Sequence, residues 1–241
     1  MSAEVVQKSL LNILERVSEV VSSSTVASRC RLVAVSKTKP SELITACYAS
    51  GQRHFGENYI QELEEKSAAL RDVCPEIRWH YIGQVQSNKI GKICSTPNLY
   101  CVETIESEKH ASMFDKEWSK RGSGQLRVLV QVNTSQETNK GGIPPSEAPK
   151  LATFIQESCS SLLFDGFMTI GSFSHSHSEG ENPDFTCLHE VRDSWAKSSG
   201  NQSDSVELSM GMSDDFEQAI KQGSTSVRVG SKIFGNRVYQ K

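Results

Sequence analysis

Eight short, largely apolar runs recur along the chain: Arg31–Lys37, His54–Asn58, Trp79–Gly83, Leu99–Glu103, Arg127–Asn133, Asp165–Gly171, Ser205–Met210 and Ser226–Ser231. Several are nearly continuous rather than alternating, the pattern of strands covered on both faces. Between them, apolar positions repeat at helical spacing over Ser41–Ser50, Glu57–Leu70, Ser87–Cys94, Glu106–Arg121, Pro145–Ser160, Asp184–Lys197 and Asp214–Gln222. The first of these follows Pro40 and stops at Gly51, the usual punctuation of both helix ends. Nothing long enough for another helix follows Ser231. An N-terminal helix over Ala3–Val21, with Leu10, Leu14, Val17 and Val21 on one stripe, is expected to close the ring instead. Regular βα alternation with this count predicts an α/β fold over residues 1–241, a single (β/α)8 TIM barrel with an additional N-terminal helix. An open doubly wound sheet is the alternative.

Composition narrows the function classes. With 241 residues and 37% hydrophobic content the chain can bury one large core. A formal charge of -3 offers no electrostatic case for nucleic acid or an anionic membrane. The seven cysteines contain no C-x-x-C pair, and several fall inside expected helices or strands, which favours a reducing compartment. No apolar stretch approaches the roughly 20 residues needed to span a bilayer. Glu4, Lys8, Glu15 and Arg16 make the N-terminus an amphipathic helix rather than a signal peptide. A soluble, cytoplasmic protein is expected.

The chemistry gathers at strand ends. Alternate residues share a strand face, so Val33, Val35 and Lys37 point one way, as do Ser226, Arg228 and Gly230. A lysine in dry surroundings loses its proton more readily and forms an imine with an aldehyde. Gly230-Ser231 offers a small-residue turn suited to phosphate, at the rim where barrels commonly bind it. Ser209-Met210-Gly211-Met212-Ser213 ends the preceding strand at the same rim. Arg228 is expected inside the barrel, paired with Glu57, Glu103 or Glu207, or facing a pyridine nitrogen that its permanent charge would keep unprotonated. Asn58 is placed either to bond a phenolic oxygen or to cap the next helix. Together these groups suggest a pyridoxal phosphate site.

Other polar groups read as structural. His80 is expected to be a packed, hydrogen-bonded histidine, and Asp214 with Glu217 has capping-box spacing. His175, His177 and Glu179 alternate in the loop Ser172–Pro183 and are read as no metal site. That loop and Thr134–Pro145 both follow strands and so lie at the carboxyl end, where they either shape a mouth or a partner surface or, the plainer reading, are simply variable loops.

Seven motifs carry a resemblance over nearly the whole chain. They are Val33-Ala-Val-Ser-Lys37, Phe55-Gly-Glu-Asn58, Trp79-His-Tyr-Ile-Gly-Gln-Val-Gln-Ser-Asn-Lys89, Val132-Asn-Thr-Ser135, Gly166-Phe-Met-Thr-Ile-Gly171, Leu208-Ser-Met-Gly-Met-Ser-Asp214 and Val227-Arg-Val-Gly-Ser-Lys-Ile-Phe-Gly235. In these the chain resembles the pyridoxal phosphate homeostasis proteins, the YggS-like or proline-synthase-co-transcribed family. The resemblance implies a barrel like the amino-terminal domain of alanine racemase. It implies pyridoxal 5'-phosphate on Lys37, phosphate near Ser209, Gly230 and Ser231, and Arg228 at the pyridine nitrogen; Asn58 and Met210 complete the expected cofactor-binding set. The racemase plan also uses a second, β-rich domain supplying a tyrosine acid/base, for which this length leaves no room, and two-base racemisation needs groups on both faces of the substrate. The expectation is therefore a monomeric cofactor carrier in vitamin B6 homeostasis, with pyridoxal-phosphate-dependent apoenzymes as candidate recipients. An amino-acid racemase using Lys37 as base is the first alternative, and a Schiff-base aldolase the second.

Overall fold

The computed structural model describes residues 1–122, 124–177 and 180–236. Eight parallel strands close in sequence order into one barrel. They are β1 (Arg31–Val35), β2 (His54–Glu57), β3 (Arg78–Tyr81), β4 (Leu99–Ile105), β5 (Leu126–Gln131), β6 (Leu162–Met168), β7 (Glu207–Ser209) and β8 (Ser226–Val229). The open-sheet alternative is excluded by the pairing of β1 with β8, where Val33 lies beside Arg228. Around the barrel run α1 (Ala3–Ser23), α2 (Ser41–Ala49), α3 (Ile60–Ala69), α4 (Ile90–Ser95), α5 (Glu108–Ser119), α6 (Ala148–Ser158), α7 (Pro183–Ser199), α8 (Phe216–Lys221) and α9 (Ser231–Phe234).

Among the described residues only four of helix follow β8, and α1 packs against α2, α8 and α9 in the place an eighth outer helix would take. Ser2 caps α1 by accepting the Val5 N–H, and Val6, Leu10, Ile13, Val17 and Val20 form its buried stripe. The expected capping box at Asp214 does not form. The cap position of α8 is Asp215, whose carboxylate accepts the Met212 N–H, while Glu217 reaches out to a two-point ion pair with Arg16 of α1 (2.9 and 2.7 Å).

The strand residues divide cleanly by face. Leu32, Ala34, Phe55, Trp79, Val128, Val130, Phe167, Leu208, Val227 and Val229 point outward and join the helices in one apolar layer. The opposite face is unusually polar. Barrel interiors are commonly filled by branched apolar side chains, whereas here His80, Glu103, Ser209 and Arg228 are all buried.

Candidate functional site

The carboxyl ends of β1, β2 and β8, with the loops after β6 and β7, enclose a cavity of about 380 Å3. Lys37, Asn58, Arg228, Gly230 and Ser231 line it, as do Val35, Lys39, Met212, Ser213 and Asp214. Five of the seven residues singled out from the sequence thus meet in one place.

Ser209 and Met210 do not line that cavity. Both are fully buried at the end of β7, and the Ser209 hydroxyl donates to Glu103 Oε2 while accepting from Arg228 Nη1 (both 2.6 Å). Ser213 reaches the cavity instead, and its hydroxyl accepts the Gly230 N–H at 3.2 Å. Gly211 separates the two serines by turning the chain at φ +94°, where a Cβ would lie 2.4 Å from that of Ala219. A two-residue strand repeat puts both hydroxyls on one face, so only the turn distinguishes them.

Asn58 does not cap α3; Tyr59 holds the cap position, with no side-chain bond to the helix. Asn58 Oδ1 is buried and has no hydrogen-bond partner among the described residues. The backbone there is tightly packed, since a Cβ on Gly83 would sit 1.9 Å from the Asn58 carbonyl oxygen. Only glycine lets β3 leave the barrel so close to Asn58.

Lys37 is fixed through its neighbours. Ser36 is fully buried on the outward face, its hydroxyl donating to Glu57 Oε1 at 2.6 Å. Lys66 of α3 donates to the Ser36 carbonyl (2.8 Å), Glu57 Oε1 (2.8 Å) and Glu62 Oε2 (2.7 Å). Glu62 also accepts the Thr38 N–H at 2.7 Å, and Thr38 holds φ +61°, strained for a β-branched residue. Burial pushes the Glu57 carboxyl up, with Lys66 and Ser36 offsetting only part. This clamp also settles Arg228: Glu57 faces away from it, Glu207 pairs with Arg31 at 3.2 Å, and Glu103 is its carboxylate neighbour at 4.0 Å.

His80 is a buried, bonded histidine, with Nδ1 2.6 Å from Glu103 Oε1 and Nε2 2.8 Å from His54 Nδ1. Burial alone would raise the Glu103 carboxyl, but His80, Arg228 and Ser209 hold it below its ordinary value. The ligand atoms of His80, Glu103 and Cys101 lie within 4.8 Å of one another. The short His80–Glu103 contact is a hydrogen bond. In the loop after β6, His175 bonds the buried Asp184 at 2.8 Å. Glu179 and the His177 side chain lie outside the described residues.

Burial, then the neighbouring His80, Arg31 and Arg78, pushes His54 down from 6.5 to about 2. Between those values the unfolded chain binds a proton that the native chain does not, so stability falls as pH drops below 6.5. This one group is expected to contribute up to about 1.4 kcal/mol per pH unit. His54→Gln should flatten the slope of urea midpoints between about pH 4.5 and 6.5; parallel slopes for the two proteins would remove His54 as its source.

Against known proteins, residues 10–238 match the family described as "Alanine racemase, N-terminal domain". A pyridoxal phosphate homeostasis protein of Caenorhabditis elegans is 67% identical over 242 residues, covering 100% of this chain and 99% of that one. The chain belongs to the pyridoxal phosphate homeostasis family. Among solved structures of this family's barrel, PipY of Synechococcus elongatus PCC7942 with pyridoxal phosphate bound is 29% identical, with a TM-score of 0.71. That match covers 92% of this chain and 99% of PipY. Alanine racemase from Corynebacterium glutamicum shares the fold at 13% identity and a TM-score of 0.67, the match covering 96% of this chain and 60% of the racemase.

Proposed function

We propose that this protein binds pyridoxal 5'-phosphate in the cavity at Lys37 and contributes to vitamin B6 homeostasis as a carrier. The observation that carries the reading is the convergence of Lys37, Asn58, Arg228, Gly230 and Ser231 on one cavity of about 380 Å3, within the size range of small-molecule sites. The donor set fits the ligand: an amine for the aldehyde, a guanidinium for the ring nitrogen, a small-residue turn with two hydroxyls for the phosphate. Asn58 Oδ1, buried without a partner among the described residues, suits a ring hydroxyl that donates a hydrogen bond. Family membership and the cofactor-bound PipY support the same ligand.

Lys37 would be the amine that holds the aldehyde covalently and gives it up to an incoming amine, with no electron transfer, which is all a carrier requires. Bound pyridoxal phosphate would supply an electron sink, and Arg228, as the group for the ring nitrogen, would weaken it by keeping that nitrogen unprotonated. The cavity lining contains no tyrosine or histidine among the described residues to serve the face opposite Lys37, so the racemase reading ranks second. The protein is further proposed to act as a cytoplasmic monomer serving apoenzymes; no helix among the described residues is long and apolar enough to cross a membrane.

The deciding experiment is an absorbance spectrum of the purified protein with added pyridoxal phosphate, then borohydride reduction and peptide mapping. A visible band that disappears, leaving a pyridoxyl group on Lys37, is expected. A colourless protein that yields no adduct would sink the reading.

A further inference from the structure

A line of hydrogen bonds crosses the barrel interior from one mouth to the other. At the amino-terminal mouth Arg78 Nη1 lies 3.4 Å from His54 Nε2. His54 Nδ1 meets His80 Nε2 at 2.8 Å, and His80 Nδ1 meets Glu103 Oε1 at 2.6 Å. From the cavity side, Arg228 Nη1 donates to Ser209 Oγ, which donates to Glu103 Oε2, each at 2.6 Å. Arg228 Nη2 donates to the Thr169 carbonyl at 2.7 Å.

Donor counting sets the direction of every link. An arginine only donates and a carboxylate only accepts. Arg78 therefore donates to His54, whose remaining proton sits on Nδ1 and points at His80. His80 then carries its proton on Nδ1, aimed at Glu103. On the other side Ser209 has one proton, and Glu103 takes it. Both branches end on the same carboxylate, which makes Glu103 the anchor of the line.

Arg228 gains its orientation from this arrangement. Its contact with Glu103 is 4.0 Å, too long for a hydrogen bond, so Ser209 is the link between them. Asp215 also acts on its charge. With Ser209 and Thr169 gripping separate nitrogens, the guanidinium has two fixed points in a buried setting. An unpaired cation there would be expensive to keep.

We propose that Glu103, acting through Ser209, is the positioning residue that sets the orientation of Arg228 at the cavity, with His80 and His54 holding Glu103 in turn. This deepens the reading above, because Arg228 is the group assigned to the ring nitrogen. Ser209, chosen from the sequence as a phosphate partner, becomes the link beneath the ring.

The test compares the full-length wild type with Glu103→Gln, Ser209→Ala, Arg228→Gln and the double variant Glu103→Gln/Arg228→Gln. Each is titrated with pyridoxal phosphate while the visible band is recorded from pH 6 to 9, a range of about three units around neutrality. Loss of one charge-assisted contact is expected to weaken binding about tenfold or more and to shift the pH profile of the band. In the Arg228→Gln background, Glu103→Gln should add nothing to the spectrum, the signature of two residues acting as one unit. A purely structural Glu103 would lower the thermal midpoint in both backgrounds and leave the band alone, which overturns the proposal, as would an equal spectral shift in both. Ser209→Ala removes a single hydroxyl and carries the test if Glu103→Gln does not fold.

A readout without the cofactor separates this proposal from the reading it rests on. In the unloaded wild type the Arg228 guanidinium N–H signals are expected to exchange slowly with solvent by NMR, and in Ser209→Ala quickly. Failure of the wild type to bind pyridoxal phosphate would defeat the function and leave this result standing. Unchanged exchange in Ser209→Ala would defeat the positioning role.

Discussion

Lys37→Ala is expected to abolish the borohydride-stable pyridoxyl adduct while leaving the protein folded. The expectation follows from where the nearby amines are held. Lys39 also lines the cavity, but its Nζ donates to the carbonyls of Gly235 and Asn236, both at 3.0 Å. Lys66 is spent on three acceptors behind β1 and β2. Lys140 belongs to a neighbouring cavity, where it is held by Glu137 at 3.3 Å and by the Gly171 carbonyl. Among the described residues Lys39, Lys66 and Lys140 are all held by carbonyl or carboxylate acceptors, and Lys37 is the amine the expectation rests on. Its side chain forms no part of the apolar layer between strands and helices, so its loss should move the thermal midpoint by no more than about 2 °C. Peptide mapping after reduction reads the first outcome and calorimetry the second. A full-yield adduct on another lysine of the variant would transfer the chemistry away from Lys37. Weak, salt-sensitive binding without an adduct would fit, because Arg228, Ser213 and Ser231 remain.

The barrel was legible because its signal is periodic. Apolar runs alternate with helical patterns, and a two-residue count along β1 and β8 put Lys37 and Arg228 on the inner face before any pairing was known. The pairing Val33–Arg228 then joins the two strands as that count requires. The site was less legible wherever the period stops. Counting by two along Ser209-Met-Gly-Met-Ser213 cannot choose between the hydroxyls, since the choice is made by the left-handed turn at Gly211. Asn58 invited a cap reading because it precedes a helix, but Tyr59 takes the cap position. The partner of Arg228 was equally hidden, as three glutamates within strands look alike in sequence. Their faces differ: Glu57 turns outward to Lys66, Glu207 meets Arg31, and Glu103 points to the interior. Lys66 gave no signal of its own. It reads as one more charge on an amphipathic helix, and only the fold brings it against Ser36, thirty residues earlier in the chain.

That lysine carries the largest expected effect on stability. The Lys66 side chain is 8% exposed and Glu57 is 0% exposed, with Nζ and Oε1 2.8 Å apart. Replacing Lys66 with methionine keeps much of the stem but strands a buried carboxylate. Breaking one side of a buried pair costs about 3–5 kcal/mol, or a fall of roughly 10 °C in the thermal midpoint for a chain of this size. Burial already pushes the Glu57 carboxyl up, and losing the ammonium pushes it further. A carboxyl raised in the folded state binds its proton there before the unfolded chain does, so its stabilising contribution is greatest at low pH and is lost as pH rises through the folded value. The deficit of Lys66→Met should therefore be small near pH 5 and grow towards pH 8, read from urea midpoints at each pH, over about three units. Adding Glu57→Gln should recover most of it, because the stranded charge is then gone. A deficit below about 1 kcal/mol at every pH would place the pair among those that contribute little. The same substitution releases the Ser36 carbonyl and the Glu62 carboxylate that holds the Thr38 N–H. Lys37 sits between those two residues, so stability and the aim of the reactive amine are expected to fail together.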